Sequence, residues 1–145
     1  LVFTRKVAAL RRDHPVFRRR RFFDGRPTRR GAHLPDIGWF TPDGTEMTEE
    51  DWDFAFGRSI AVYLNGQGIA GRDSRGERIV DDSFLLCFCA YWEPVDFALP
   101  PSEYANTWEV VVDTMTDGTD EGRTLTAGDK VTVGPRALVV LRRTA

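Results

Sequence analysis

The residues best equipped for chemistry fall in four groups. Glu46, Glu49, Glu50, Asp51 and Asp53 crowd five carboxylates into eight positions. Paired carboxylates serve general acid–base catalysis when one is held protonated in a cleft. Here they surround Thr48 at a predicted helix start, where acidic side chains suit the positive helix end and stay solvated. Cys87 and Cys89 are the two cysteines. At i and i+2 on a strand they share a face, and they are too close for an easy disulfide. Soft-metal binding would need more ligands, and His14 and His33 stand far off in sequence. The cysteines therefore read as reduced, buried, small apolar residues of a cytoplasmic protein. Gly66 and Gly68 form a GxG without the further glycine and following helix that a dinucleotide site requires. No catalytic residue, metal ligand or cofactor is assigned from these groups.

The fourth group is basic and aromatic. His14–Arg30 interleaves Val16, Phe17, Phe22 and Phe23 with Arg18, Arg19, Arg20 and Arg21. Arginine beside aromatic rings can stack on bases. Residues 1–30 carry a net charge of +9 and residues 31–145 one of −11. The phenylalanines read as anchors of a connecting segment, with guanidinium groups paired to carboxylates. Nucleic acid is thus the weaker reading, and none is expected as a partner.

These groups must be held by strands. Ser83–Leu99 (SFLLCFCAYWEPVDFAL) is the organising stretch. Phe84, Leu86 and Phe88 alternate with Leu85, Cys87 and Cys89, so an extended run would be apolar on both faces. Pro94 divides it from a second strand through Val95, Phe97 and Leu99. Further strands are predicted at Asp36–Phe40, Ser59–Leu64, Asn106–Asp113, Lys130–Val133 and Arg136–Leu141. Turns fall at Pro42-Asp43-Gly44 and Thr126–Asp129, with a glycine-rich hairpin loop at Gln67–Arg78. Asp81 and Asp82 are placed to accept from backbone donors where the central strand starts. Thr48 caps a short helix from which Trp52 and Phe56 should cover the core. Residues 1–12 form an amphipathic helix with Phe3, Val7 and Leu10 on one stripe, stopped by Pro15.

The fold class is therefore mainly β: an antiparallel β-sandwich of about seven or eight strands preceded by one amphipathic helix. At 145 residues and 41% hydrophobic content the chain can bury a core. It has no apolar run of membrane-spanning length, and no membrane partner is expected. Its first residue, Leu1, suggests a piece of a longer polypeptide or one whose start was removed.

The motifs Leu10–Arg26 (LRRDHPVFRRRRFFDGR), Asp36–Asp53 (DIGWFTPDGTEMTEEDWD), Arg58–Gly66 (RSIAVYLNG) and Val80–Pro100 (VDDSFLLCFCAYWEPVDFALP) resemble the carboxyl-terminal region of bacterial isoamylase-type glycogen-debranching enzymes. These are glycoside hydrolases of the α-amylase superfamily. Cys89 stands where the family pattern has asparagine, and Tyr91-Trp92 where it has two histidines.

The resemblance implies three parts. Residues 1–13 would be the last helix of a preceding catalytic barrel, residues 14–35 a connecting segment, and residues 36–145 a carboxyl-terminal sandwich. It implies an accessory domain that packs on and stabilises the barrel and is not itself catalytic. The family's aspartate nucleophile, glutamate acid/base and second aspartate lie on barrel loops, and none of those motifs occurs here. The alternative is an independent carbohydrate-binding module. Sugar binding needs exposed aromatic platforms, and Trp39, Trp52, Tyr91, Trp92, Tyr104 and Trp108 are the candidates. Trp108 heads an apolar strand and reads as core. Tyr91, Trp92 and Trp52 are assigned as the glucan-binding residues, with glycogen or a branched maltooligosaccharide as the ligand.

Overall fold

The computed structural model describes residues 1–27, 33–54, 57–116 and 121–145. Phe56, expected to cover the core, lies outside them. The chain divides into two compact units, Leu1–Ile37 with Leu64–Ser83, and Gly38–Tyr63 with Phe84–Ala145.

The second unit holds nearly all of the eight strands. These are β1 (Ile37–Phe40), β2 (Ser59–Leu64), β3 (Phe84–Cys89), β4 (Val95–Ala98), β5 (Thr107–Asp113), β6 (Thr124–Thr126), β7 (Lys130–Val133) and β8 (Ala137–Arg143). Six form one sheet in the order β1-β2-β3-β8-β5-β6, and β4 pairs with β7 in a second. The β3–β8, β5–β8, β5–β6 and β4–β7 ladders are antiparallel. A bulge at Val111 shifts β5 against β8. The expected strand-rich sandwich class is thus borne out.

Register explains the inner face. Leu85, Cys87 and Cys89 pair with Leu141, Val139 and Ala137, and Val110 pairs with Leu141. All seven are buried. Phe97, Val131 and Val133 from the small sheet are buried too, and β7 lies against β3 and β8. An aromatic chain fills the β1 end of the core. Tyr104 meets Phe40 edge-on at 5.0 Å and Tyr63 at 5.1 Å, and Tyr63 meets Trp108 at 6.4 Å. Such T-shaped arrangements set the positive ring edge against a negative face.

The outer face of β3 is graded. Phe84 is fully buried, Leu86 is half-buried and Phe88 is 39% exposed. The expectation of burial on both faces therefore holds at the Phe84 end and fails at Phe88. Trp39 opens outward beside this region because it alternates between buried Gly38 and Phe40 on β1. The eighth strand, β6, is three residues long and pairs with Thr107–Glu109. It includes Thr126, read from sequence as the first residue of a turn. The turn follows directly: Asp129 accepts from the Thr126 N–H and hydroxyl, both at 2.9 Å. The Thr126 backbone donor, then its hydroxyl, holds the Asp129 carboxyl below its ordinary pKa.

The first unit opens with α1 (Val2–Asp13), whose last turn carries Arg11 and Arg12 at the negative helix end. His14 leaves the helix in an extended conformation before Pro15, which starts one 3-10 turn through Phe17. None of the α1 residues is buried; Phe3 is 50% exposed and Val7 39%.

Two carboxylates tie this unit together. Asp36 is fully buried. It accepts from the backbone N–H groups of Asp24 and Gly25, each at 2.9 Å, and from Arg19 Nη2 at 3.3 Å. Arg19 also donates to the Gly68 carbonyl at 3.0 Å and stacks 4.1 Å over Phe23. Asp81 accepts from the Val16 N–H at 3.0 Å and the Asp82 N–H at 2.7 Å, and lies 2.8 Å from His14 Nδ1. The expected anchoring by the aromatic segment is corrected in one place. Val16 is buried and Phe17 and Phe23 partly so, but Phe22 is 96% exposed. Successive residues of non-helical chain face opposite ways, so only one of two adjacent phenylalanines turns inward.

Candidate functional site

Trp52 reaches its position through a short relay. A tight turn after β1, with Gly44 at φ +80°, sends the chain back so that Thr41 N–H meets the Thr45 carbonyl and Met47 N–H meets the Trp39 carbonyl, both at 2.9 Å. Thr48 then caps α2 (Glu49–Trp52) in a reciprocal box with Asp51: Thr48 N–H donates to Asp51 Oδ2 at 2.8 Å, and Asp51 N–H to Thr48 Oγ1 at 3.3 Å. The cap is as read from sequence. The destination of Trp52 is not. It is 50% exposed rather than covering the core, because a four-residue helix on the outside lays its indole against Trp39 at the surface. The two rings meet edge-on at 5.2 Å.

Trp52 instead lines a cleft of about 320 Å3 on the second unit. Phe54 and Phe88 form its apolar wall with Trp52, and Asp51 and Arg58 line it as the charged groups. Arg58 is held where β2 begins beside the end of β3, its carbonyl accepting from the Ala90 N–H at 2.8 Å. Its guanidinium lies 4.7 Å from the Tyr91 ring centre and 4.8 Å from that of Trp92. The two rings are 4.4 Å apart and tilted by 41°. Trp92 is 60% exposed and Tyr91 is half-buried. Arg58 thus joins Trp52, reached through the cleft, to Tyr91 and Trp92, reached through stacking. Sequence reasoning missed Arg58; its only signal was a position at the mouth of a strand.

The other candidate aromatics are placed differently. Trp108 is fully buried, as read from sequence, and Tyr104 is buried with its hydroxyl on Glu46 Oε1 at 2.6 Å. Burial, and then this carboxylate, raises the Tyr104 pKa. Glu46 and the Oδ2 of Asp51 are therefore spent on structure, and Glu49, Glu50 and Asp53 face solvent. Cys87 and Cys89 are buried free thiols, and burial pushes Cys87 up to about 12. Such a thiol is inert at neutral pH.

Gly66 and Gly68 serve close packing. A side chain at Gly66 would run into the carbonyl oxygens of Asp81 and Asp82, and one at Gly68 would lie 2.9 Å from the Asp36 Cα. Ligand atoms of His14, Asp81 and Asp82 lie within 4.8 Å of one another. The hydrogen bonds of Asp81 already account for that convergence.

The basic segment divides likewise. Arg19 is bound to Asp36, and Arg18 donates to the Arg11 carbonyl at 3.0 Å. Arg29 and Arg30 lie outside the described residues. Among those that are described, no helix is long and apolar enough to cross a membrane.

The family described as isoamylase, C-terminal, matches residues 36–142. The glycogen operon protein GlgX homologs of Mycobacterium bovis and Mycobacterium tuberculosis are each 51% identical over 144 residues. The alignment covers 99% of this chain and 20% of theirs, so the chain spans about a fifth of these relatives. Among solved structures, pullulanase type I from Bacillus subtilis, complexed with maltose, aligns over 97% of this chain and 15% of its own. Its TM-score is 0.53 at 15% identity, a likeness of fold. The match over most of the chain and the identity over its whole length agree: this chain belongs to the isoamylase C-terminal family.

Proposed function

We propose that this chain is the carboxyl-terminal accessory β-sandwich of a cytoplasmic glycogen-debranching glycoside hydrolase, and that it stabilises the catalytic barrel without taking part in the chemistry. The barrel hydrolyses α-1,6 branch linkages in glycogen or branched maltooligosaccharides, with its own carboxylates flanking the scissile bond. Residues 1–13 are the last barrel helix, residues 14–35 the connection, and residues 36–145 the sandwich. Support comes from the names and lengths of the GlgX relatives.

The observation that carries the proposal is α1. An isolated helix of 12 residues is marginal in water. This one is amphipathic, buries no residue and leaves Phe3 and Val7 open. A barrel surface would cover that stripe, and each large apolar side chain it buried would contribute about 1.5–3 kcal/mol. Phe3→Asp with Val7→Asp in the full-length enzyme should lower its thermal midpoint by several degrees. An unchanged midpoint would remove the basis for the docking.

A further inference from the structure

We infer that the cleft beside α2, together with the Tyr91-Trp92 pair, is a binding surface for an α-glucan chain, fixed by Arg58. The volume, about 320 Å3, falls at the small end of ligand pockets, which run about 300–1,000 Å3. The composition is that of such pockets: an apolar wall with a few placed polar groups. Trp52 and Trp92 are half or more exposed, and indole faces of this kind lie against the C–H faces of pyranose rings.

Arg58 decides the class of ligand. Stacking on two rings orients its guanidinium, and among the described residues no carboxylate pairs with it. Its N–H donors are free to meet acceptors. An anionic ligand would satisfy them, but Asp51 lines the same cleft, and Glu49, Glu50 and Asp53 stand on or just beyond the same short helix. Like charges in one site cost several kcal/mol. A sugar hydroxyl both donates and accepts, so a neutral polyol serves Arg58 and Asp51 together while its apolar faces cover the rings. The choice of a glucan among neutral sugars rests on the debranching reading above.

The test is retention of the full-length enzyme on native gels containing glycogen, with maltoheptaose as competitor. Trp92→Ala, Trp52→Ala and Arg58→Ala should each weaken retention about tenfold, as loss of a central aromatic or arginine contact does. Trp92→Phe, which keeps a ring, should restore most of it. Unchanged retention in all three alanine variants would overturn the proposal. So would lowered thermal stability with unchanged retention, which would give the cleft to the barrel interface instead. Full-length enzyme that debranches glucan while retention ignores these residues loses only this site. Enzyme that does not debranch, but whose retention falls on Trp92→Ala, keeps the site and loses the parent activity.

Discussion

Replacing Asp36 with alanine tests the packing of the first unit at its centre. The side chain is fully buried and holds Arg19, itself 6% exposed, with the Asp24 and Gly25 N–H groups. Truncation strands a guanidinium and two amides at once. Breaking a buried pair by removing one partner costs about 3–5 kcal/mol. Arg19 keeps its bond to the Gly68 carbonyl and its place over Phe23, which favours about 4 kcal/mol over a higher figure.

With a urea dependence of about 1.5 kcal/mol/M, that shifts the unfolding midpoint down by about 2–3 M. The position of the chromophores makes the assay selective. Trp39, Trp52, Trp92 and Trp108 all lie in the second unit, whereas α1 lies in the first. Far-ultraviolet circular dichroism of the helix should move by the full amount, alongside a smaller change in tryptophan fluorescence. Arg19→Met added to Asp36→Ala should recover at least about 1 kcal/mol, since it removes the stranded charge. A dichroism shift below about 0.5 M, or strict additivity in the double variant, would refute the assignment of Asp36 as the hub.

Three further outcomes are expected. Because the Cys87 pKa is raised in the folded chain to about 12 from an ordinary 9.0, its contribution is complete below about pH 9 and is lost as pH rises towards 12. Tyr104 acts in the same direction. Cys87→Ala should therefore show a flatter fall in urea midpoint between pH 8 and pH 10.5 than the parent, and parallel curves would contradict this. Gly66→Ala drives a methyl into the Asp81 and Asp82 carbonyls and should cost about 2 kcal/mol or more by the dichroism midpoint. The chain alone should release no linear glucan from glycogen in a debranching assay, and any release above a heat-denatured control would end the claim of inertness.

Much of the fold is legible because it is local. β2 and β7 run over Ser59–Leu64 and Lys130–Val133, the limits read from alternation and flanking turns. The Thr48 cap is legible because donor and acceptor stand three residues apart. What sequence missed depends on partners distant along the chain. The strand Thr124–Thr126 exists because Thr107–Glu109 lies beside it, and three polar-flanked residues carry no periodic signal. Trp52 reads as core from composition, but its burial is decided by where Trp39 points. Asp36 opens a strand motif unremarkably, and its role appears only when Arg19, Asp24 and Gly25 fold back on it. Arg58 acquires meaning from rings 33 and 34 residues away.

The most direct measurement is amide hydrogen exchange of residues 2–13 in the full-length enzyme and in this chain alone. Covering by the barrel predicts protection of α1 in the full-length enzyme and exchange faster by orders of magnitude in the isolated chain. Equal exchange of α1 in the two would show that nothing docks on its Phe3–Val7 stripe, and that this chain does not serve as the barrel's accessory layer.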